Sequence, residues 1–157
     1  MNRKIFAVSV ITLLFDQVTK ILISTFIGIN GKMNLIKNFF SIHCIENYGA
    51  AWSLFNYKVE ILIIASIVAL IILARYMYNF QTNKRNNLAF GFLIGGIFGN
   101  LIDRIFLGYV RDFLSFQFGH YQYPIFNFAD IAIVLGVFLL TIAILKGEDK
   151  NENRSKQ

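Results

Sequence analysis

Apolar residues collect into four long runs, at about 5–29, 61–80, 88–107 and 124–145, each broken by few polar positions. A helix that crosses the hydrocarbon core of a bilayer needs roughly 17–25 mainly apolar residues, so every run has spanning length. Backbone polar groups at that depth find no water and must pair within their own segment, which makes helices the expected conformation. The pattern predicts an all-α membrane protein with four transmembrane helices. The longest segment between the runs, about 30–58, opens on the turn signal Asn30-Gly31. It then alternates apolar and polar residues through Met33-Asn34-Leu35-Ile36 and Phe39-Phe40-Ser41-Ile42, which predicts short strands in a small external β-sheet. Tyr48, Trp52 and Phe55 follow, aromatic side chains suited to a membrane interface. The first run has the basic start Arg3-Lys4, but it is too long for a signal peptide and lacks a small-residue cleavage site, so a retained helix is expected. Residues 1–146 are read as one transmembrane domain and 147–157 as a polar, basic tail.

Composition supports the membrane reading: 56% of residues are apolar and 15% charged, against about 25% charged in a typical soluble domain. The distribution of charge adds a direction. With the N-terminus in the cytoplasm, the inner flanks carry Arg3, Lys4, Arg75, Lys84, Arg85, Lys146, Lys150, Arg154 and Lys156, and the outer loops only Lys32, Lys37, Lys58 and Arg111. By the excess of Lys and Arg on cytoplasmic flanks, both termini are predicted to be cytoplasmic and the β-rich segment extracytoplasmic. The net charge of +6 therefore reads as a topology signal, and no nucleic-acid partner is expected. One cysteine, Cys44, allows no intramolecular disulfide, and with His43 and His120 alone beside it no metal site or cofactor is expected.

Ionisable groups inside the runs are costly and point to a functional site. Asp16 and Lys20 form an i, i+4 pair in the favourable order. Gly91, Gly95 and Gly99 line one face of the third helix, where small residues admit a neighbouring helix, and Asp103 continues that row into the bundle. Asn100, Asp103 and Arg104 lie on one helical surface, either as an Asp–Arg pair that neutralises itself or as groups that orient a substrate. Asp130 follows Asn127 by one turn and lies roughly 9 Å below the start of the fourth run, while Asp103 lies roughly 6 Å below the end of the third. Asp112 comes just after Gly108, which is expected to end the third helix and let the chain turn back. Two neighbouring carboxyls cannot both ionise readily, so one can hold a proton while the other acts as base. The spacing leaves Asp112/Asp130 and Asp103/Asp130 open as that pair. A proton-coupled transporter or channel subunit is the alternative, but its acids should spread through the membrane, whereas these gather at one side.

The motifs Asp16-Gln17-Val18-Thr19-Lys20, Asn47-Tyr48-Gly49-Ala50-Ala51-Trp52, Gly99-Asn100-Leu101-Ile102-Asp103-Arg104, Val110-Arg111-Asp112-Phe113 and Phe126-Asn127-Phe128-Ala129-Asp130 resemble, in order, those of the bacterial lipoprotein signal peptidases (signal peptidase II). The resemblance implies an aspartic endopeptidase of the bacterial cytoplasmic (inner) membrane, with its active site at the extracytoplasmic leaflet. Its substrates would be prolipoproteins carrying a diacylglyceryl cysteine, cut on the N-terminal side of that cysteine, and it would be sensitive to globomycin-type inhibitors. Carried over by motif, Asp112 and Asp130 are catalytic. Asp16, Lys20, Asn47, Gly49, Asn100, Asp103, Arg104 and Asn127 are supporting or substrate-contacting positions.

Overall fold

The computed structural model describes residues 2–49 and 58–149. Four helices are long and apolar enough to cross a membrane: α1 (Arg3–Phe26), α2 (Val59–Tyr76), α3 (Lys84–Leu107) and α4 (Phe128–Leu145). Between them run β1 (Lys32–Ile36), β2 (Phe40–Asn47), β3 (Val110–Phe118) and β4 (Tyr121–Gln122). Trp52, Phe55 and the tail from 150 onward lie outside the described residues.

Asparagines start three of the helices. Asn2 accepts from the Lys4 amide and Asn83 from the Asn86 amide, and Asn127 forms a reciprocal capping box with Asp130. These contacts satisfy amides that the first turn of a helix leaves without a partner. At its far end, α3 stops at Gly108, whose φ of 79° is the left-handed conformation that glycine adopts without strain. The fourth helix begins later than its apolar run. Pro124 has no N–H, Phe126 pairs with Leu114 of β3, and only at Asn127 does the helix begin. Asp130 thus sits in the first turn of α4, not about 9 Å down it.

The sheet is larger than residues 30–58 predict. Its four strands follow the order β1-β2-β3-β4, all antiparallel, so half of it comes from the chain between α3 and α4. That chain carries β3, a strand of nine residues. In the β2–β3 register, Asp112 faces Ile45 and Val110 faces Asn47, which puts one acid of the polar cluster on the sheet itself. At the other end of the bundle, Asn2 donates to Asn87, and Glu148 pairs with Arg85 and accepts from Asn83 and Asn86. Asn2 and Glu148 thus both hold the start of α3, at the end of that helix away from the sheet.

Helix α3 is the packing centre, flanked by α1, α2 and α4. Lipid tails are as apolar as leucine, so helices in a bilayer associate through close contact, which small residues permit. A Cβ on Gly95 would lie 2.6 Å from the Ser9 carbonyl oxygen and 2.7 Å from Thr12 Cβ, and Gly91 meets Val8 on the same face. Gly96 is turned toward α4, 2.6 Å from the Ala129 carbonyl oxygen by the same construction. Gly95→Val is expected to force α1 off α3 and destabilise the fold by about 1–3 kcal/mol. Denaturant unfolding in detergent checks this, and an unchanged midpoint would refute the close α1–α3 contact.

Candidate active site

Where α1, α3 and α4 approach the sheet, their polar residues form one connected network. Asp112, 1% exposed, accepts at Oδ1 from Asn127 Nδ2 (2.6 Å) and at Oδ2 from Asn47 Nδ2 (2.7 Å). Asp130, half-buried, accepts at Oδ1 from Asn100 Nδ2 (2.7 Å) and at Oδ2 from the Asn127 amide (3.1 Å). Asn127 thus bridges the two acids, one through its side chain and the other through its backbone.

Each carboxamide is held with its amino group toward a carboxyl. Asn127 Oδ1 accepts from the Asp130 amide (3.0 Å), and Asn47 Oδ1 from the Gly49 amide (2.9 Å). Asn100 Oδ1 accepts from Lys20 Nζ (2.9 Å) and from Asn127 Nδ2 (3.0 Å). Lys20 is fully buried, ion-paired with Asp16 at 2.8 Å and with Asp103 at 3.6 Å. Asp16 also accepts from the Ala129 amide (2.9 Å), joining α1 to the first turn of α4. A lysine and an acid at this depth are tolerable because each is paired and hydrogen-bonded. Burial pushes the Asp112 carboxyl up, and the charge of Asp130 adds to it, to about 7.

Asp103 does not pair with its chain neighbour Arg104. It takes the Arg111 guanidinium at 2.7 Å and 3.2 Å and the Arg111 amide at 3.1 Å. Arg104 instead lines the cavity and donates to the Gly49 carbonyl oxygen (3.3 Å). Asn100 is held by Lys20, Asn127 and Asp130. Of the two acid pairs left open by spacing, Asp112/Asp130 is the one brought together at the cavity.

Two further site residues carry no prediction from the sequence. Gln17 donates to the Gly99 carbonyl oxygen (2.9 Å) and to Asp103 (3.1 Å), and Arg111, counted above only as an outer-loop charge, donates to Gln17 Oε1 (3.1 Å). Their signal was position: each sits beside an acid of the cluster. His43 and His120 stand apart, His43 opposite Lys32 in the sheet and His120 exposed in the β3–β4 turn.

The paired acids face a cavity of about 590 Å³. Asn47, Asn100, Arg104, Asp112 and Asp130 form its polar part, while Ile97, Ile133, Val134 and Leu135 carry it down the bundle as an apolar groove. Among the described residues, no three His, Cys, Asp or Glu side chains converge as a metal site. Such a pocket can hold an extended chain against hydrogen-bond donors and set one of its bonds beside two carboxyl groups.

The signal peptidase (SPase) II family model matches residues 8–146. Lipoprotein signal peptidases of Staphylococcus aureus strains bovine RF122 / ET3-1 and JH9 are each 36% identical over 151 residues, covering 96% of this chain and 91% of theirs. A bacterial membrane enzyme solved by the in meso method at 2.3 Å resolution is 34% identical, superposes with a TM-score of 0.80, and is matched over 98% of this chain and 91% of that one. A second such structure, at 1.9 Å, gives a TM-score of 0.74 at 34% identity, over 90% of this chain and 92% of that one.

Proposed function

Because this chain belongs to the signal peptidase II family, we propose that it removes the signal peptides of prolipoproteins through an aspartate pair, Asp112 and Asp130. One observation supports this reading: the two carboxyls are both held by Asn127 and line the same cavity. The rival reading, a proton relay through the membrane, gains nothing from the helices. Among the described residues, no Asp or Glu lies between this cluster and Glu148 at the opposite end of the bundle. In this reading both termini are cytoplasmic, residues 1–146 act as one unit with 147–157 as a tail, and the cluster opens to the extracytoplasmic leaflet of the inner membrane. A substrate cysteine carrying a diacylglyceryl group would be held by the lipid at that level.

The chemistry follows from the unequal surroundings of the two acids. Asp112, the more deeply buried of the two and raised by that burial and by the charge of Asp130, keeps the shared proton. Asp130, more open to the cavity, takes a proton from a water molecule. That water attacks the carbonyl carbon of the bond preceding the lipidated cysteine, and Asp112 donates its proton to the carbonyl oxygen. Collapse of the tetrahedral intermediate breaks the C–N bond. The proton held by Asp130 passes to the leaving amine, and Asp112 regains its own from the hydroxyl, leaving a free carboxyl and a free amine. Arg104 and Asn47 reach the same cavity and would hold substrate carbonyls, with Asp16, Lys20, Asn100 and Asp103 fixing the frame. Globomycin-type cyclic peptides are expected to compete for this cavity.

The reading is tested by incubating the purified protein in detergent with a diacylglyceryl-cysteine precursor peptide and mapping the cut by mass spectrometry. Cleavage on the N-terminal side of the modified cysteine supports it, and proton flux in liposomes without cleavage would favour the rival. A pH dependence follows as well. The folded-state value of Asp112 lies above the ordinary 3.8, at about 7, so the native protein holds this proton more tightly than the unfolded chain. Its contribution to stability is full below about 4 and is lost as pH rises through about 7. Cleavage should fall across the same upper limit as the acid is deprotonated, and Asp112→Asn should make the fold more stable than wild type above it. Rate profiles and thermal unfolding at several pH values check both.

A further inference from the structure

We infer that Arg111 is the positioning residue that aims Asp112 at Asp130, by locking the start of β3 onto α1 and α3; the inference rests on the peptidase reading above. After the glycine stop at Gly108, only Tyr109 and Val110 separate the helix end from Arg111. Because that link begins on a left-handed glycine, the helix hydrogen bonds stop before β3 and do not carry its orientation. The two hydrogen bonds on Asp112 come from β2 and α4, and neither ties the strand to α3.

Arg111 supplies that tie. Its amide and Nε both donate to Asp103 Oδ2 (3.1 and 3.2 Å), and its terminal nitrogen meets Asp103 Oδ1 (2.7 Å) and Gln17 Oε1 (3.1 Å). The acceptor is rigid. Asp103 is 1% exposed and is itself held by Gln17 Nε2 (3.1 Å) and Lys20 (3.6 Å). A two-pronged guanidinium–carboxylate contact fixes orientation as well as distance, which a lysine cannot reproduce. Side chains of consecutive strand residues leave opposite faces. Clamping Arg111 to Asp103 and Gln17 therefore turns Asp112 the other way, toward Asn47, Asn127 and the cavity. Arg111 does not line the cavity, so its influence on the reaction passes through the peptide it shares with Asp112.

The test compares the full-length wild type with Arg111→Met and Arg111→Lys in detergent, with a diacylglyceryl-cysteine precursor peptide as substrate. Rates are taken per folded molecule, with the folded fraction read from gel filtration and thermal unfolding. Arg111→Met is expected to lower kcat roughly 10- to 100-fold, the penalty for a reacting group misplaced by about 1 Å, while KM stays within about twofold because no cavity contact is lost. Arg111→Lys should fall between Arg111→Met and wild type. The inference is overturned if folded Arg111→Met keeps the wild-type kcat, if KM rises in step with the loss of kcat, or if Arg111→Lys restores the full rate and shows that charge alone suffices. A wild-type protein that does not cut the peptide would instead overturn the reading of the site.

Discussion

Asp112→Asn and Asp130→Asn are each expected to slow cleavage of a lipidated precursor by about 10³-fold or more, since each removes one half of a proton-sharing pair. Both substitutions keep the shape of the side chain. An asparagine at 112 still accepts from Asn127 or Asn47 through its remaining oxygen, at positions now occupied by contacts of 2.6 and 2.7 Å. An asparagine at 130 retains one oxygen that can accept from the Asn127 amide, preserving the cap of α4. Substrate binding should survive, so the loss belongs in kcat. Single-turnover cleavage of a radiolabelled precursor measures this, and a variant cutting at the wild-type rate would remove its aspartate from the mechanism.

Lys20→Met is the second large effect, and it acts on stability and rate together. The ammonium is fully buried and satisfies Asp16, Asp103 and the Asn100 carbonyl. Removing it leaves Asp16 with Gln17 and the Ala129 amide as donors, and Asp103 with Arg111 and Gln17. Breaking a buried ion pair by deleting one partner costs about 3–5 kcal/mol, and unfolding in detergent should register a loss of that order. The rate should fall too, because Lys20 is one of the donors that keep Asn100 turned with its amino group toward Asp130. If Lys20→Met unfolds and cuts like wild type, the buried network does not hold the site.

The spanning helices were legible because length and apolarity suffice to specify them in a bilayer. Asp16 with Lys20 was legible because residues four apart share a helix face. The same rule bears on the Asp103–Arg104 pair left open above: adjacent helical residues do not face each other, and each has a partner elsewhere. The second half of the sheet was not legible because Val110–Phe118 lacks a clean alternation, and its pairing with β2 joins residues 63 to 76 positions apart, which no local pattern encodes. The late start of α4 was hidden inside an apolar run, where Phe126 pairs with a strand and only the Asn127–Asp130 cap marks the boundary. Gln17 and Arg111 were invisible for a related reason: their importance lies in bridging α1, α3 and β3.

Asp112 and Asp130 are expected to share one proton between them. Infrared difference spectroscopy of the purified protein reads this directly, through the C=O stretch of a protonated carboxyl. A carboxyl band is expected on the acid side of about pH 7, fading as pH rises through it and missing from Asp112→Asn. A wild-type spectrum in which both carboxyls are ionised throughout that range would contradict it.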